Sequence, residues 1–482
     1  MNLTAFFLGF ILVLNMLFAL VVIFQERKDA GSTWAWLLVL YFIPILGFVL
    51  YALFAQNFRR VPLFHWDSRQ KLMLEEAVVA QLDEIRTGDY RFHNPSSFHN
   101  RDLIYMFLNN NHAILSETNK IDLFTDGHDK FDQLFKDINN ATEYIHVQYY
   151  IFQKDWLGEK LIDLLTQKAR EGVCVRVLYD ELGSRRLNKA FFREFREAGG
   201  QAQAFFPSKL RLINTRLNYR NHRKLVILDG RIGYVGGFNV GEEYLGLDPK
   251  FGYWRDTHLR IQGPSVFFMH CRFMLDWNQA APSRTFNFFP QLLPGQLEQG
   301  SAGVQIVTSG PDSVWEVIKD GYIKMISSAK RSIYIQTPYF IPDASMMDAL
   351  RIAALSGLDV TLMIPDKPDH PFVHWATLSY VGEMLKAGAR VYLYENGFIH
   401  AKTLVVDEEV ASVGTANIDV RSFRLNFEVN AFVYDEELSK KLIRSFQEDI
   451  EMSRLLTLDQ YIHRPKWVKI KESVSRLLSP IL

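Results

Sequence analysis

The sequence predicts an α/β protein of two duplicated α/β units that pack about a pseudo-twofold axis, preceded by a two-helix transmembrane hairpin. Three observations predict this fold class. A polar motif occurs twice in register, strand-like and helix-like segments recur in the same order before each copy, and two uncharged stretches of 22 residues stand near the amino terminus. At 482 residues the chain is long enough for about three units that each bury a core.

The two uncharged stretches, residues 3–24 and 33–54, each reach the length of about 20 apolar residues that a helix needs to span a bilayer. The intervening residues 25–32 hold two basic residues, whereas four basic residues follow soon after the second stretch. By the positive-inside rule this asymmetry predicts a cell-membrane protein with two spans, with both termini and everything after residue 56 in the cytoplasm. Residues 1–56 would form the hairpin, and residues 57–120 a polar, partly helical connector.

The rest of the chain alternates between strand-like and helix-like patterns. Residues 144–152 form a β-branched and aromatic run, and residues 332–341 repeat it, with Gln336 in the place of Gln148. A helical pattern and a second strand-like run follow each of them, which indicates an internal duplication. The predicted parts are a first unit at residues 121–280, a Pro- and Gly-rich linker at 281–303, a second unit at 304–455 and a basic amphipathic tail at 456–482.

The tail carries five basic residues and one Glu between Arg464 and Leu482, with apolar residues interspersed. This pattern is typical of a helix that lies on an anionic surface. It is equally typical of a terminal helix that docks on its own domain.

The repeated motif has a fixed spacing, in which Lys follows His by two residues, Asp by seven, Gly by fourteen and Asn by seventeen. One such pattern is weak evidence, but two copies in register are strong evidence. The even spacing places His and Lys on one face of a strand. The candidate catalytic residues are His222, Lys224, Asp229, His400, Lys402 and Asp407, and the candidate phosphate ligands are Asn239 and Asn417.

Two such faces in one site would suit a phosphate diester. Lysines and amides can bind its non-bridging oxygens. One His can attack phosphorus, and the other can serve as acid and base. We expect no metal and no cofactor, because no carboxylate cluster suits magnesium or calcium. Asp229 and Asp407 stand beside turns, so we interpret them as ties of a hairpin more than as participants in the chemistry.

A nucleophilic His needs its second ring nitrogen held by a hydrogen-bond acceptor, usually a carboxylate. The candidates are Asp256 and Glu428, which follow the motif asparagines by 17 and 11 residues. Cys174 and Cys271 are the two cysteines of the chain, and neither belongs to a zinc or disulfide pattern.

The two copies of H-x-K-x4-D-x6-G-[G/T]-x-N resemble the phospholipase D superfamily over roughly residues 120–455. The amino-terminal hairpin, the segment Q-T-P-Y-F-I-P-D and the ending R-L-L-S-P-I-L resemble the bacterial cardiolipin synthases. This resemblance implies reversible phosphatidyl transfer without a metal, in which two phosphatidylglycerol molecules give cardiolipin and glycerol through a phosphohistidine. It implies His222 as nucleophile and His400 as acid and base, with the motif lysines and asparagines on phosphate. Gly237 and Thr415 stand where many relatives carry Ser.

Three other functions compete with this interpretation. A hydrolytic phospholipase D or another headgroup transferase would use the same site, and no residue excludes it. A nucleic-acid phosphodiesterase is disfavoured by 54 basic against 54 acidic residues and by the two uncharged stretches. A catalytically silent membrane scaffold is disfavoured by two complete motifs. The expected partners are therefore phosphatidylglycerol, cardiolipin and a lipid bilayer, and no nucleic acid.

Overall fold

The computed structural model describes residues 30–43, 63–188, 190–207, 218–286 and 300–477, with residues 9, 10, 13, 16, 17, 19, 20, 47, 51 and 479. The chain divides into a small unit, Met1–Pro62 with Phe206–Tyr219, and a large unit, Leu63–Phe205 with Arg220–Leu482.

The small unit holds helix α1 (Ala30–Phe42), which is 13 residues long. The rings of Trp36 and Tyr51 meet edge to face in this unit, with centroids 5.3 Å apart. Most of the two predicted spans, residues 3–24 and 33–54, lies outside the described residues. Within the residues that are described, no helix combines the length and the apolar character that crossing a membrane requires.

The large unit contains two halves with matching strands. The first half contributes β1 (Ser116–Phe124), β2 (Tyr144–Tyr149), β3 (Cys174–Asp180), β4 (Gln201–Phe205), β5 (Leu225–Leu228), β6 (Ile232–Gly236), β7 (Trp254–Arg255) and β8 (His258–Gln262). The second half contributes β9 (Ala302–Ser309), β10 (Ser332–Gln336), β11 (Phe340–Ile341), β12 (Asp359–Pro365), β13 (Arg390–Tyr394), β14 (Phe398–Ile399), β15 (Thr403–Val406), β16 (Val410–Gly414), β17 (Ile418–Asp419), β18 (Glu428–Tyr434) and β19 (Ser453–Leu456).

Helices pack on both faces of these strands. Those before and within the first half are α2 (Ser68–Thr87), α3 (Pro95–His99), α4 (Arg101–Asn111), α5 (Gly127–Asn140), α6 (Trp156–Arg170), α7 (Arg193–Glu197) and α8 (Ser265–Ala280). Those of the second half and the tail are α9 (Val317–Ser328), α10 (Ala344–Leu355), α11 (Pro371–Lys386), α12 (Val420–Arg424), α13 (Glu436–Glu451), α14 (Leu458–Ile462) and α15 (Lys466–Leu477). In the first half α6 separates β2 from β3 and α7 separates β3 from β4, and in the second half α10 precedes β12 and α11 separates β12 from β13, as an α/β unit requires.

One mixed sheet joins the two halves. Outward from its centre the order is β1-β8-β6-β5-β2-β3-β4 on one side and β9-β18-β16-β15-β10-β12-β13-β19 on the other. β1 and β9 pair antiparallel at the centre, with Ser116 opposite Val304. Toward the outer edge of each half three neighbouring strands run parallel, β2, β3 and β4 in the first half and β10, β12 and β13 in the second. The strand that comes after the motif His, β5 or β15, lies beside this set on the side of the sheet centre. Two copies related by a pseudo-twofold axis between β1 and β9 produce this order, so the predicted α/β duplication is confirmed.

Part of the predicted connector belongs to the core. β1 begins at Ser116, five residues before the predicted first unit, and α4 buries its apolar face in the second half. The ring of Phe107 on α4 lies 4.5 Å from that of Phe432 on β18. The 11-residue helix shows apolar residues at helical spacing, but its partner surface lies more than 200 residues away in sequence. Within the predicted linker, residues 287–299 lie outside the described residues.

Candidate active site

Both motif histidines lie at the start of the hairpin that follows them. His222 and Lys224 stand directly before β5, and His400 and Lys402 stand between β14 and β15. All four side chains are buried. These groups are therefore largely withdrawn from water, and each charge among them needs a partner.

Backbone pairing between the halves brings the two histidines together. The amide of His222 donates to the carbonyl oxygen of Phe427 at 2.9 Å, in the second half. The amide of His400 donates to the carbonyl oxygen of Arg255 at 2.7 Å, in the first half. The short parallel pair β7–β14 fixes the second of these crossings. Each histidine is thus held by the segment that precedes a buried carboxylate of the other half.

Those two carboxylates are Asp256 and Glu428, the residues expected to orient the histidines. Nδ1 of His222 lies 3.0 Å from both oxygens of Glu428. Nδ1 of His400 lies 2.6 Å from Oδ2 of Asp256. Because an ionised carboxylate can only accept, each Nδ1 carries the proton and each Nε2 keeps its lone pair. Each histidine is therefore oriented by a carboxylate of the opposite half.

The two lysines stand beside the histidines. Nζ of Lys224 donates to the carbonyl oxygen of His222 at 2.7 Å, and Lys402 donates to that of His400. Nζ of Lys402 also lies 2.8 Å from Nδ1 of His400, but that nitrogen donates to Asp256, so we assign the lysine's bond to the carbonyl oxygen. Both ammonium groups are fixed next to the imidazoles.

Burial sets the protonation of the site. It lowers the pKa of His222 and of His400 to about 4, against the opposing effect of the carboxylates. It also lowers the pKa of Lys224 to about 7 and that of Lys402 to about 8. Burial alone would raise the pKa of Asp256, but Lys402 and His400 bring it below its ordinary value. At neutral pH the free site therefore holds neutral imidazoles between ionised carboxylates.

The motif asparagines differ in their surroundings. Oδ1 of Asn239 accepts from the amide of Ile151 at 3.0 Å, and its Nδ2 donates to the hydroxyl of Tyr244 at 2.9 Å. Nδ2 of Asn417 lies 3.2 Å from Oδ2 of Asp419. Among the described residues Oδ1 of Asn417 has no hydrogen-bond partner. The Nδ2 group carries a second hydrogen, which can donate to an incoming phosphate oxygen.

Asp419 is a site residue that the sequence reasoning missed. It is buried, and burial raises its pKa to about 6. The first copy has Gly241 at the equivalent position, so the repeat itself gave no signal for a carboxylate there. Its place two residues after the motif Asn was the one available clue.

Asp229 and Asp407 lie at the far ends of β5 and β15, away from the histidines. The carboxylate of Asp229 accepts from the backbone amides of residues 142–144 at 2.8–2.9 Å. That of Asp407 accepts from the amides of residues 330–332 at 2.7–2.9 Å. Both residues have positive φ, 51° and 55°, which Asp tolerates better than most residues. The structure thus brings the motif histidines and lysines together and leaves these two aspartates on hairpin turns.

A buried brace lies behind each orienting carboxylate. Gln148 donates to Asp276 at 2.7 Å, and Asp276 binds Arg223 at 2.8 Å. The Nε of Arg223 donates to the carbonyl oxygen of Glu428 at 3.0 Å.

The second half repeats this brace with different residues. Gln336 donates to Asp449 at 2.8 Å, and Asp449 binds Arg255. Arg255 donates to the carbonyl oxygen of Asp256 at 2.5 Å. The sequence showed the matched glutamines but not their partners, which come from helices far along the chain.

Aromatic rings line the histidines. Tyr150 meets His222 edge on, with centroids 4.9 Å apart, and Trp254 lies 5.3 Å from His400. These rings keep the site apolar around its charges, which strengthens each electrostatic interaction inside it. Within the described part of the chain, no group of three or more His, Cys, Asp or Glu side chains could hold a metal ion.

Comparisons with known proteins identify the family of this chain. A family model described as "Cardiolipin synthase, PLD-like domain" matches residues 134–249 and 322–450, and one described as "Phospholipase_D-nuclease N-terminal" matches residues 13–56. The chain is 63% identical to the major cardiolipin synthase ClsA of Bacillus subtilis (strain 168) and 54% identical to a cardiolipin synthase of Listeria monocytogenes. Both matches cover 100% of each chain over 482 residues.

Among solved structures, a phosphatidylserine synthase of Haemophilus influenzae Rd KW20 has the same fold. Its TM-score is 0.60 at 15% identity, and the match covers 81% of this chain and 100% of that one. At that identity the likeness concerns the fold alone. The full-length identities and the two matched halves show that this chain belongs to the bacterial cardiolipin synthases of the phospholipase D superfamily.

Proposed function

We propose that this chain is a phosphatidyltransferase that joins two phosphatidylglycerol molecules into cardiolipin and releases glycerol. The observation that carries the proposal is the pair of buried histidines, each bound by a carboxylate of the other half, with one lysine beside each. Such a site offers two Nε2 atoms to one phosphodiester, which a two-step transfer requires.

In the first step Nε2 of His222 attacks the phosphorus of the donor lipid. A bond forms between nitrogen and phosphorus, and the bond from phosphorus to the glycerol headgroup oxygen breaks. Nε2–H of His400 gives its proton to that oxygen, so that neutral glycerol leaves. Glu428 stabilises the positive charge that the His222 ring acquires, since its oxygens lie 3.0 Å from Nδ1.

In the second step the reaction runs back with another alcohol. His400, now neutral, takes the proton from a glycerol hydroxyl of the second phosphatidylglycerol. That oxygen attacks phosphorus, the phosphorus–nitrogen bond breaks, and cardiolipin leaves. Because the steps mirror each other, glycerol can also cleave cardiolipin, and the transfer is reversible.

Lys224, Lys402, Asn239 and Asn417 hold the phosphate oxygens in this scheme. The ammonium groups supply positive charge where the transition state gathers negative charge. The donor's phosphate anion also favours the protonated form of His400, whose pKa of about 4 in the free site is set by burial. Binding of the substrate thus prepares the acid that the first step needs. Asp229 and Asp407 would hold their hairpins without touching the substrate.

The membrane supplies both substrates. Residues 3–24 and 33–54 would form a two-span hairpin that keeps the large unit at the cytoplasmic face of the cell membrane. A transferase must favour a lipid hydroxyl over water, and the aromatic lining around His222 and His400 would help to exclude water.

Product analysis tests the proposal. Purified enzyme is incubated with labelled phosphatidylglycerol in vesicles, and the lipids are separated by thin-layer chromatography. We expect cardiolipin and glycerol in equal amounts. Phosphatidic acid without cardiolipin would instead support a hydrolytic phospholipase D, and a product formed only with another added alcohol would support a different headgroup transferase.

A further inference from the structure

The last described helix, α15, buries a polar side and exposes an apolar one. The residues that it buries against the large unit are polar, Glu472 and Ser475. Four of its apolar side chains face outward as an outer stripe, in which each is at least 50% exposed and Leu477 reaches 80%, whereas Val468 is half-buried. The members of this outer stripe are Trp467, Ile470, Val474 and Leu477. A helix that docks on its own domain for stability buries such a stripe instead.

Ion pairs hold α15 in this orientation. Nε of Arg464 lies 2.7 Å from Glu472, the acid on the inner side of the helix. Arg476 lies 2.6 Å from Glu383 on α11, and its guanidinium stacks over the ring of Tyr380 at 4.4 Å. The inner side is therefore specified by paired charges, which leaves the outer stripe facing away from the domain.

The exposed surface continues from α15 to the active-site end of α11. The rings of Trp467 and Trp375 meet with centroids 6.3 Å apart, and Nζ of Lys471 lies over both. Phe372, in the first turn of α11, is 58% exposed. Three residues earlier, Asp369 accepts a hydrogen bond from Tyr339, and its charge acts on Lys402. Tyr339 directly precedes β11, which pairs with β17, the strand that directly follows the motif Asn417. The start of α11 thus stands at the rim of the site.

We propose that the outer stripe of α15 and the first turn of α11 insert into the headgroup–acyl boundary of an anionic bilayer. Lys466, Lys469 and Lys471 surround the stripe, as in helices that lie in a membrane interface. Trp467 stands at one end of it, a residue type that favours this boundary. The choice of an anionic lipid rests on the proposed function, because phosphatidylglycerol and cardiolipin are both anionic. The helix would hold the rim of the site against the lipid that it consumes.

The position of the stripe can be measured in the full chain. Single cysteines replace Ile470 or Val474 in a Cys174→Ser background, which leaves the buried Cys271, and each is labelled with nitrobenzoxadiazole. Lys440→Cys is the matched control. Lys440 is exposed on α13, and α13 packs on the face of the sheet opposite to the one that α11 covers. In phosphatidylglycerol vesicles we expect a blue shift of both stripe labels and at least about threefold stronger quenching by nitroxide lipids than at the control.

Several outcomes would overturn the proposal. A stripe label that stays in water, in vesicles that still yield cardiolipin, would refute it and leave the proposed function intact. Equal insertion into phosphatidylcholine vesicles would refute the anionic preference. A blue shift that depends on protein concentration in detergent would assign the stripe to a second copy of the chain. Insertion of the stripe labels in vesicles in which no cardiolipin is formed would support the proposal and refute the proposed function instead.

Turnover provides a second readout. The double variant Ile470→Ser, Val474→Ser is expected to lose about fivefold or more of its rate on vesicles and little of its rate in mixed micelles. The double variant Ile352→Ser, Leu355→Ser makes the same change at exposed positions of α10 and should keep both rates. An equal loss in micelles, or none on vesicles, would contradict the proposal.

Discussion

Replacing Glu428 with Gln tests how strongly one half of the chain supports the chemistry of the other. The change keeps the volume of a fully buried side chain and removes its charge. Both carboxylate oxygens lie 3.0 Å from Nδ1 of His222, so the positive ring of the intermediate loses about 5 kcal/mol of attraction at an effective dielectric constant of about 20. The remaining amide keeps one hydrogen bond. We therefore expect kcat to fall about 10³- to 10⁴-fold, close to the loss of about 10⁴-fold that the corresponding Asp-to-Asn change causes in a serine-protease triad.

The assay measures cardiolipin formed from labelled phosphatidylglycerol under initial-rate conditions. Glu117→Gln is the matched control, because Glu117 is also buried but accepts from the amide of His93 instead of a motif histidine. Thermal unfolding of both variants shows whether they fold alike. The reasoning is refuted if Glu428→Gln keeps more than about a tenth of the wild-type rate while the control behaves normally.

The remaining predictions concern pH, the hairpin turns and metal ions. The value of kcat/KM should rise with pH up to about 4, where His222 loses its proton. It should fall as the pH rises further, first because His400 loses the proton that it must donate and then, above about 7, because Lys224 loses its charge; a pH–rate profile checks these limbs. Asp229→Ala should lower the free energy of unfolding by about 2 kcal/mol in a urea titration, because backbone amides lose a charged acceptor and Ala disfavours the positive φ, while Asp229→Asn should cost less. Since Lys224 and Lys402 supply the positive charge, EDTA should leave the rate of cardiolipin formation unchanged, and strong inhibition that added metal reverses would contradict this.

Much of the fold could be predicted from local patterns. The duplication could be predicted from the two runs around Gln148 and Gln336 and from the two motifs, because strand and turn signals depend on neighbouring residues. The parts that sequence alone left open depend on distant partners. From its sequence α4 was assigned to the connector, because the surface that buries Phe107 lies in the second half. The sequence pattern of the tail fits a docked helix and a membrane-bound helix equally well. The structure shows the helix docked through its polar side.

The candidate site likewise has features that local sequence predicts and features that depend on distant partners. A search for a carboxylate near each motif found Asp256 and Glu428, but their exchange between the halves follows from the pairing of His222 with Phe427 and of His400 with Arg255. No local pattern encodes that crossing. Asp419 was missed because the duplication has no second acid in that place, and the buried braces behind the site were missed because their acids lie on distant helices.

We infer that one histidine of the composite site carries the phosphatidyl group while the other moves the proton. His400→Ala protein is mixed with a phosphatidyl ester of p-nitrophenol, whose leaving group departs without an acid. We predict a burst of about one nitrophenolate per chain and an adduct that mass spectrometry locates on His222, since no base remains to activate an acceptor. An adduct on any other residue, or the same burst from His222→Ala protein, would contradict the account.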